Sequence, residues 1–180
     1  MEDPAQEIRD VVRSITEPYE ASVIAKNIDK YFTEDAYILH PMLNQPRTKN
    51  GRQMLKGIYK VLRIFSINNK ITFHAVMFNE DKTQGAIELT EDLYPRVPLF
   101  GSLRASIPLF VRIDLIKEED GKFRIWRQHD SLPNDLGMVS LPFIPFFSAL
   151  VTLINILKAA NGVFLGTAGK FFLDRGYLGS

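Results

Sequence analysis

The sequence predicts an α+β fold, with N-terminal helices packed against a bent antiparallel sheet and an apolar helical appendage at the C-terminal end. Apolar residues recur at helical spacing in the first third of the chain, and four segments with strand-like alternation follow. Helices that precede a run of strands are typical of the α+β class. Beyond Gly137 the chain is apolar and its charged residues are Lys158, Lys170, Asp174 and Arg175. We therefore divide the chain into a domain of residues 1–136 and a tail of residues 137–180.

Three helices are predicted before the strands. Apolar positions from Pro4 to Tyr31 follow helical spacing, and Pro18 divides this stretch into two helices. The segment "GRQMLKGIYKVLRIFS", residues 51–66, predicts a third helix. Its expected buried side consists of Met54, Leu55, Ile58, Leu62 and Phe65.

The strands are predicted from alternation and from their turns. A short strand, Tyr37–His40, ends at Pro41, and a loop follows it. Longer strands begin at Ile71, Gly85, Pro108 and Lys122. The segments "NEDKTQG" and "KEEDG" are typical of hairpin turns and predict that these strands form a meander.

The composition excludes several classes of function. With 22 basic and 21 acidic residues, the net charge of +1 gives no field that would attract nucleic acid. The chain has no cysteine, which excludes a disulfide framework and a thiol nucleophile. It also lacks the sequence motifs of phosphate loops, nucleophile elbows and metal sites, so we expect neither a metal nor a cofactor. The acidic, polar start "MEDPAQEIRD" does not resemble a secretory signal, and we expect a cytoplasmic location.

Two motifs carry a resemblance to a known superfamily. "YFTEDAYILHP" after the second helix and the closing strand "GKFRIWRQHD" resemble the NTF2-like superfamily, in particular its SnoaL-like and fungal SigF-like branches, over about residues 5 to 132. The resemblance implies a cone, in which a bent sheet wraps around helices and leaves an apolar cavity open at one end. The superfamily includes ketosteroid isomerase, small epoxide hydrolases, polyketide cyclases and proteins that only bind ligands, so it does not fix a function.

Two candidate catalytic residues follow from the likeness to the isomerases. His40 precedes Pro41 where similar isomerases place their carboxylate base, and a histidine can act as a base near neutral pH. The alternative is a strand-end histidine that hydrogen-bonds the loop. Asp114, in "RIDLI", corresponds to an acid that donates to an oxyanion in the isomerases. Its alternative is a surface ion pair with Arg112.

The third candidate is Asp130, which ends the last strand where SnoaL-like proteins often have an acid at the cavity. Its alternative is a strand-end cap. Strand alternation predicts that Trp126, Gln128 and Asp130 share one face, with His129 on the other.

Other positions argue against isomerase chemistry or carry no predicted role in it. The isomerases need a tyrosine on the first helix, but the matching residue here is Thr16, and Tyr19 lies one turn further on. The acidic run of Glu88, Glu91 and Asp92 predicts a solvated strand face. The residues predicted to contact a ligand in the cavity are Tyr19, Tyr37, Tyr59, Phe73 and Trp126.

Two apolar segments exceed what the cone needs. Residues 95–110, "PRVPLFGSLRASIPLF", are too long for a plain hairpin loop, and the 20 residues from Met138 to Leu157 carry no charge. A helix from Pro145 to Ala160 would be about 24 Å long, shorter than a hydrocarbon core of about 30 Å. From Ala159 onwards, small residues at one side of the helix predict close approach of another helix. These small residues are Ala159, Gly162, Gly166 and Gly169.

We predict that this amphipathic tail lies on, or dips into, a membrane surface. The alternatives are packing on the cone, pairing in a homodimer, or a true span. The predicted membrane contacts are Leu99, Phe100, Phe143, Phe146, Phe147, Leu150 and Leu153.

The functional hypothesis is a membrane-associated protein that binds a hydrophobic small molecule, such as a lipid, sterol or isoprenoid, in its cavity. The first alternative is an isomerase, cyclase or hydrolase that uses His40 or Asp130 as its base. The second is a protein-interaction module that uses the apolar tail. The expected partners are the small molecule and a membrane surface, and not nucleic acid.

Overall fold

The computed structural model describes residues 1–95, 105–132 and 147–176. In those ranges it contains four helices and six strands, and the predicted α+β class is confirmed. The elements in chain order are α1 (Pro4–Thr16), α2 (Ala21–Tyr31), β1 (Phe32–His40), β2 (Leu43–Asn44), α3 (Gly51–Phe65), β3 (Ser66–Phe78), β4 (Gln84–Pro95), β5 (Ala105–Lys117), β6 (Phe123–Ser131) and α4 (Phe147–Asp174).

The first two helices form as their sequence predicts. The Asp3 side chain accepts a hydrogen bond from the backbone N–H of Ala5 and caps α1, and Pro4 occupies the first turn. The helix ends at Thr16, before Pro18, which cannot donate the next helical hydrogen bond. Both helices direct their apolar stripes at the sheet, so they cover the inner face of the cone.

The six strands form one sheet in the order β2-β1-β6-β5-β4-β3. Strands β3 to β6 make the predicted antiparallel meander. β1 pairs with β6 in parallel, which corrects the prediction of a wholly antiparallel sheet. A hairpin turn would force two strands to run antiparallel. β1 and β6 are not joined by such a turn, so they can pair in parallel. β2, in the segment predicted as loop, pairs antiparallel with β1.

One apolar core lies between the sheet and helices α1 to α3. The side chain of Gln45 is completely buried beside this core, and its amide donates to the backbone carbonyls of Ala36 and Gly51 at 3.0 and 2.8 Å. These bonds fix the start of α3 against β1. The most completely buried apolar side chains include Ile8, Ile28, Phe32, Leu55 and Ile87.

The tail differs from its predicted form. A helix of 16 residues was expected to end near Asn161, but α4 is a single helix of 28 residues that runs on to Asp174. Asn161 lies within it and donates its side-chain N–H to the backbone carbonyl of Met42 at 3.0 Å. This tertiary contact compensates for the weak helix propensity of asparagine. In the described part of the chain, no helix is both long enough and apolar enough to cross a membrane.

The small residues of α4 face the cone. A Cβ atom added to Gly57 of α3 would lie 2.6 Å from the carbonyl oxygen of Gly166, and one added to Gly169 would overlap the carbonyl of Gly57. A Cβ atom on Gly162 would lie 2.5 Å from the carbonyl oxygen of Asn44 in β2. The predicted close approach of another helix is therefore made by α3 of the same chain.

Most of the large described side chains of α4 face away from the cone, whereas Leu165 is partly buried and packs against the core. Among residues 152–176, the only buried positions are the three glycines Gly162, Gly166 and Gly169. We call the opposite side of the helix the outward face. Its large exposed side chains are Leu153, Ile154, Ile156, Leu157, Val163, Phe164, Phe171 and Phe172.

Gly169→Ala should destabilise the protein more than Gly166→Ala. Both changes gain the same helix propensity, up to about 1 kcal/mol. At position 169 the new methyl group would lie 2.4 Å from the Gly57 carbonyl oxygen, whereas at position 166 its nearest neighbour is the Cβ of Met54 at 3.3 Å. The first contact requires the backbone to move and the second requires only a small adjustment, so we expect a difference of about 1–3 kcal/mol in the free energy of unfolding. Urea titration of both variants measures it, and equal stabilities would show that α4 does not cross α3 at these glycines.

Candidate functional site

The interior of the cone encloses a cavity of about 80 Å³. Its walls come from α1, α3 and all six strands, and most of them are aliphatic. The polar side chains that line it are Thr16, His40, Tyr59, Arg63, Asn69, Glu91, Gln128 and Asp130. The cavity is therefore an apolar space in which a few polar groups are concentrated.

Asp130 is hydrogen-bonded to another polar side chain of the cavity. Gln128 donates its amide to both carboxyl oxygens of Asp130, each at 3.0 Å, and Tyr59 donates its hydroxyl to Gln128 Oε1 at 3.2 Å. Burial raises the pKa of Asp130 to about 7; the Gln128 hydrogen bonds oppose this, and the nearby charge of Glu91 adds to it. Burial also raises the pKa of Tyr59, so its hydroxyl keeps its proton. Asp130 can thus give or take a proton near neutral pH.

Glu91 is a second acid in the same cavity. Its Oε1 accepts a hydrogen bond from the Asn69 amide at 3.1 Å. Burial raises its pKa, while Asn69 and the positive charge of Arg63 oppose the rise. The prediction of a solvated strand face is thus wrong for Glu91, and also for Asp92, which is buried. Strand alternation places Glu91 with the buried residues Ile87 and Leu89, and that signal was present in the sequence.

Asn69 reaches the cavity through a local irregularity of β3. The pairing of β3 with β4 shifts between Ile67 and Lys70, and Asn68 adopts a positive φ of 51°. Asparagine tolerates this left-handed conformation better than most residues. No sequence pattern identified this bulge in advance.

His40 lines the same cavity as Asp130. Its Nδ1 accepts a hydrogen bond from the backbone N–H of Met42 at 3.1 Å, which is the loop contact that the sequence left open as an alternative. Burial, together with the positive charge of Lys158, lowers the pKa of His40 to about 4. The neutral ring therefore carries its proton on Nε2 and is suited to donating a hydrogen bond, not to acting as a base.

Asp114 lies outside the cavity lining. It is buried, and it accepts hydrogen bonds from Arg127 and, at 3.4 Å, from Arg112. The predicted pairing with Arg112 is present; the Arg112 side chain is at the surface, 48% exposed, whereas that of Asp114 is buried. Asp114 binds two guanidinium groups on the outer side of the sheet. Its carboxylate therefore cannot contact a ligand inside the cone.

Of the five predicted aromatic ligand contacts, only Tyr59 lines the cavity. Tyr19 is 55% exposed, with the guanidinium of Arg63 5.7 Å from its ring. Phe73 packs at the edge of the core beneath Arg13. Thr16 does line the cavity, so the position that holds a tyrosine in the isomerases faces the ligand space here without a phenol.

Tyr37 and Trp126 pack together on the outer side, with ring centroids 6.0 Å apart. A β-bulge explains why the predicted shared face of Trp126, Gln128 and Asp130 is wrong. In the β5–β6 pairing, Arg127 faces Asp114 but Ile125 faces Leu115, so Trp126 is the extra residue. Beyond the bulge Gln128 and Asp130 point inwards, while Trp126 stacks between Arg47 and Arg127.

Of the seven predicted membrane contacts, Leu153 is the one whose side chain belongs to the described part of the structure. Leu99, Phe100, Phe143 and Phe146 lie outside the described residues. Phe147 and Leu150 belong to α4, but their side chains lie outside the description. Leu153 is on the outward face and is 52% exposed.

The described residues show no cluster that would hold a metal ion. Within residues 1–95, 105–132 and 147–176, no three histidine, aspartate or glutamate side chains come close enough together. The side chains of Asp130, Glu91 and Tyr59 can take part in proton transfer and hydrogen bonding in the cavity.

A bent sheet wrapped around N-terminal helices is the fold of the NTF2-like cone proteins. The SigF NTF2-like domain model matches residues 1–177. The chain belongs to this family, and the match extends through α4. A comparison with curated proteins found no match.

Solved structures with the same fold share little sequence with this chain. The epoxide hydrolase/cyclase-like enzyme SalBIII of salinomycin pyran ring formation is 18% identical, with a TM-score of 0.51 over 73% of this chain and 94% of its own. A ketosteroid isomerase-like protein from Erwinia carotovora atroseptica is 11% identical, with a TM-score of 0.51 over 74% and 98%. ActVI-ORFA from Streptomyces coelicolor is 16% identical, with a TM-score of 0.50 over 71% and 96%. Likeness at this level shows the fold and not the activity.

Proposed function

We propose that this protein binds a small hydrophobic molecule of the lipid, sterol or isoprenoid class inside the cone, with a polar group of that molecule at Asp130. The observation that carries the proposal is the enclosed cavity, aliphatic on most of its wall, in which Asp130, Gln128 and Tyr59 form one hydrogen-bonded chain. An apolar pocket with a few convergent polar groups is the usual form of a small-molecule site.

The size of the cavity narrows the ligand class. Pockets that enclose drug-sized ligands measure roughly 300–1,000 Å³, whereas this cavity measures about 80 Å³. It therefore suits a short isoprenoid, or one end of a longer lipid, and a whole sterol would need wall side chains to move. A hydroxyl or carbonyl at the inserted end would complete the hydrogen bonding of Asp130.

A second candidate is an isomerase, cyclase or hydrolase that acts on the same ligand. The specific observation in its favour is that Asp130, whose pKa is raised to about 7, faces an apolar cavity. An acid with that pKa is present in both protonation states at neutral pH, as general acid–base catalysis requires. SalBIII, which has the same fold, is an epoxide hydrolase/cyclase-like enzyme, and this fits the candidate. Asp130 replaces His40 as the preferred base because Nδ1 of His40 already accepts the Met42 N–H.

We further propose that the protein associates through its tail with the cytoplasmic face of a membrane. The exposed large apolar side chains of α4 support it. Use of the same surface to bind another protein, or a second copy of this chain, is the competing interpretation.

Hydrophobic molecules should copurify with the protein and be lost when the cavity is filled. Val111 lines the cavity and is buried, so Val111→Phe occupies the ligand space. Ile116, on the same strand, is 51% exposed, and Ile116→Phe is the matched control. We expect organic extraction and mass spectrometry to recover about one molecule per chain from the wild type and the control, and far less from Val111→Phe. Thermal unfolding checks that both variants fold.

Equal recovery from all three proteins, or none from the wild type, would overturn the binding proposal. The same experiment separates carrier from enzyme. If the recovered molecule is converted on incubation with fresh protein, the enzyme is favoured, and Asp130→Asn should bind the molecule without converting it. Conversion by Asp130→Asn at the wild-type rate would remove Asp130 from the chemistry.

A further inference from the structure

The packing of α4 is the reverse of that of an ordinary surface helix. A helix on a globular domain normally buries its large apolar side chains and exposes its polar ones. Among residues 152–176, however, the buried positions are three glycines, and Phe164 on the opposite side is 68% exposed. Helices in lipid show this arrangement, because small residues let backbones approach closely and lipid accepts the large apolar side chains.

The outward face cannot be buried by a rotation of the helix. A Cβ atom at Gly57, Gly162 or Gly169 would meet backbone atoms of the facing element, so only the glycine side of α4 fits against α3 and β2. The hydrogen bond from Asn161 to the Met42 carbonyl fixes the same orientation. The apolar side chains are therefore held outwards by the fold.

We infer that the outward face of α4 docks in the interfacial layer of a lipid bilayer, with the helix axis along the membrane surface. This inference rests on the proposed membrane association and specifies how the protein meets the membrane. It does not depend on what the cavity binds.

The width and the charge of the outward face favour a bilayer over a second copy of the chain. At 100° per residue, Ile156, Leu153 and Ile154 cover about 160° of the helix circumference. A helical partner would cover a narrower stripe, whereas a helix that lies in a bilayer interface buries its apolar face over the full width of that face. Three of the four charged residues of α4 and its C-terminal turn are basic, namely Lys158, Lys170 and Arg175. Lys170 pairs with Asp174 at 2.5 Å. The net positive charge is therefore that of Lys158, on the His40 side of the helix, and of Arg175, and it suits anionic headgroups. Arg175 stacks on Phe171 of the outward face, 3.5 Å from its ring centroid.

The test is flotation of the full chain with phosphatidylcholine vesicles, with and without phosphatidylserine. The double variant Leu157→Asn/Phe164→Asn removes two of the most exposed apolar side chains of the outward face. The matched control, Ile116→Asn/Phe110→Asn, removes exposed apolar side chains of β5. We expect the wild type and the control to float, more strongly with phosphatidylserine. The α4 variant should lose roughly tenfold or more in vesicle partitioning.

A fluorescent label reports contact with lipid directly. Because the chain has no cysteine, Phe164→Cys and Ile116→Cys each provide a single attachment site for an environment-sensitive dye. Vesicles should shift the emission of the dye to the blue at position 164 and leave it unchanged at position 116.

Two results would overturn the inference. One is a wild type that stays in the aqueous fraction and elutes as a dimer that Leu157→Asn/Phe164→Asn dissociates; a second copy then covers the outward face. The other is a wild type that neither floats nor dimerises. Ligand recovery measured on the same variants separates this inference from the cavity proposal, since either can fail while the other holds.

Discussion

Asp130→Asn should make the protein more stable than the wild type at pH 8, by an amount on the order of 4 kcal/mol. The pKa of Asp130 rises from its ordinary value of 3.8 to about 7 in the folded protein, chiefly through burial. Between these two pH values the unfolded chain has released this proton and the folded chain retains it. The free energy of unfolding of the wild type therefore falls as pH rises from about 4 to about 7, and then stays level.

Asparagine cannot ionise, so the variant should lack this part of the pH dependence. Its carbonyl can still accept a hydrogen bond from Gln128, which donates to Asp130 in the wild type. Urea unfolding of both proteins at pH 5 and pH 8 measures the effect, which should be small at pH 5 and large at pH 8. Glu91→Gln should act in the same direction, because burial raises the pKa of that acid too. A wild type that is equally stable at both pH values would contradict the raised pKa and remove the main support for proton transfer by Asp130.

Asp114→Ala should destabilise the protein by about 3 kcal/mol. The Asp114 side chain is 5% exposed and binds both Arg127 and Arg112. Its removal leaves the guanidinium of Arg127, which is 27% exposed, without a carboxylate partner in this pair. Breaking one side of a buried ion pair is costly because the remaining charge stays poorly solvated.

Glu118→Ala is the matched control for Asp114→Ala. Glu118 pairs with Arg124, but its side chain is 40% exposed, and exposed ion pairs contribute about 0–1 kcal/mol. Urea titration compares the two variants. At a temperature where Asp114→Ala stays folded, its ligand recovery should match that of the wild type. A folded Asp114→Ala protein that has lost its ligand would instead show that Asp114 takes part in the site.

The features of the fold that the sequence predicts correctly are those that local residue patterns encode. Helix α1 ends before Pro18 and the meander turns at the predicted segments, because both features depend on neighbouring residues. The acid at the end of β6 was identified by its likeness to SnoaL-like proteins, and its place in the cavity agrees with that likeness. Its role in catalysis stays a prediction.

The missed features depend on contacts that no local pattern encodes. The bulge at Trp126 moves that residue to the outer side and brings Gln128 to the cavity, and strict alternation cannot anticipate a bulge. Arg63 reaches the cavity from α3, at a position that helical periodicity gives no reason to select. The glycines of α4 did predict a close helix contact, but not that the partner would be α3 of the same chain.

The parallel pairing of β1 with β6 has a consequence for the order in which the chain can assemble. Phe32 of β1 is the register partner of Ile125, so the first strand gains its neighbour in the meander only when the last one is present. During synthesis, β3, β4 and β5 emerge before β6. Until β6 is present, the edges of β1 and β5 that pair with it stay unpaired. Unpaired strand edges are templates for aggregation. A sheet that pairs β1 with β6 also has many contacts between distant parts of the chain, a feature associated with slow folding. A nascent chain of this protein therefore exposes two unpaired strand edges until β6 is added.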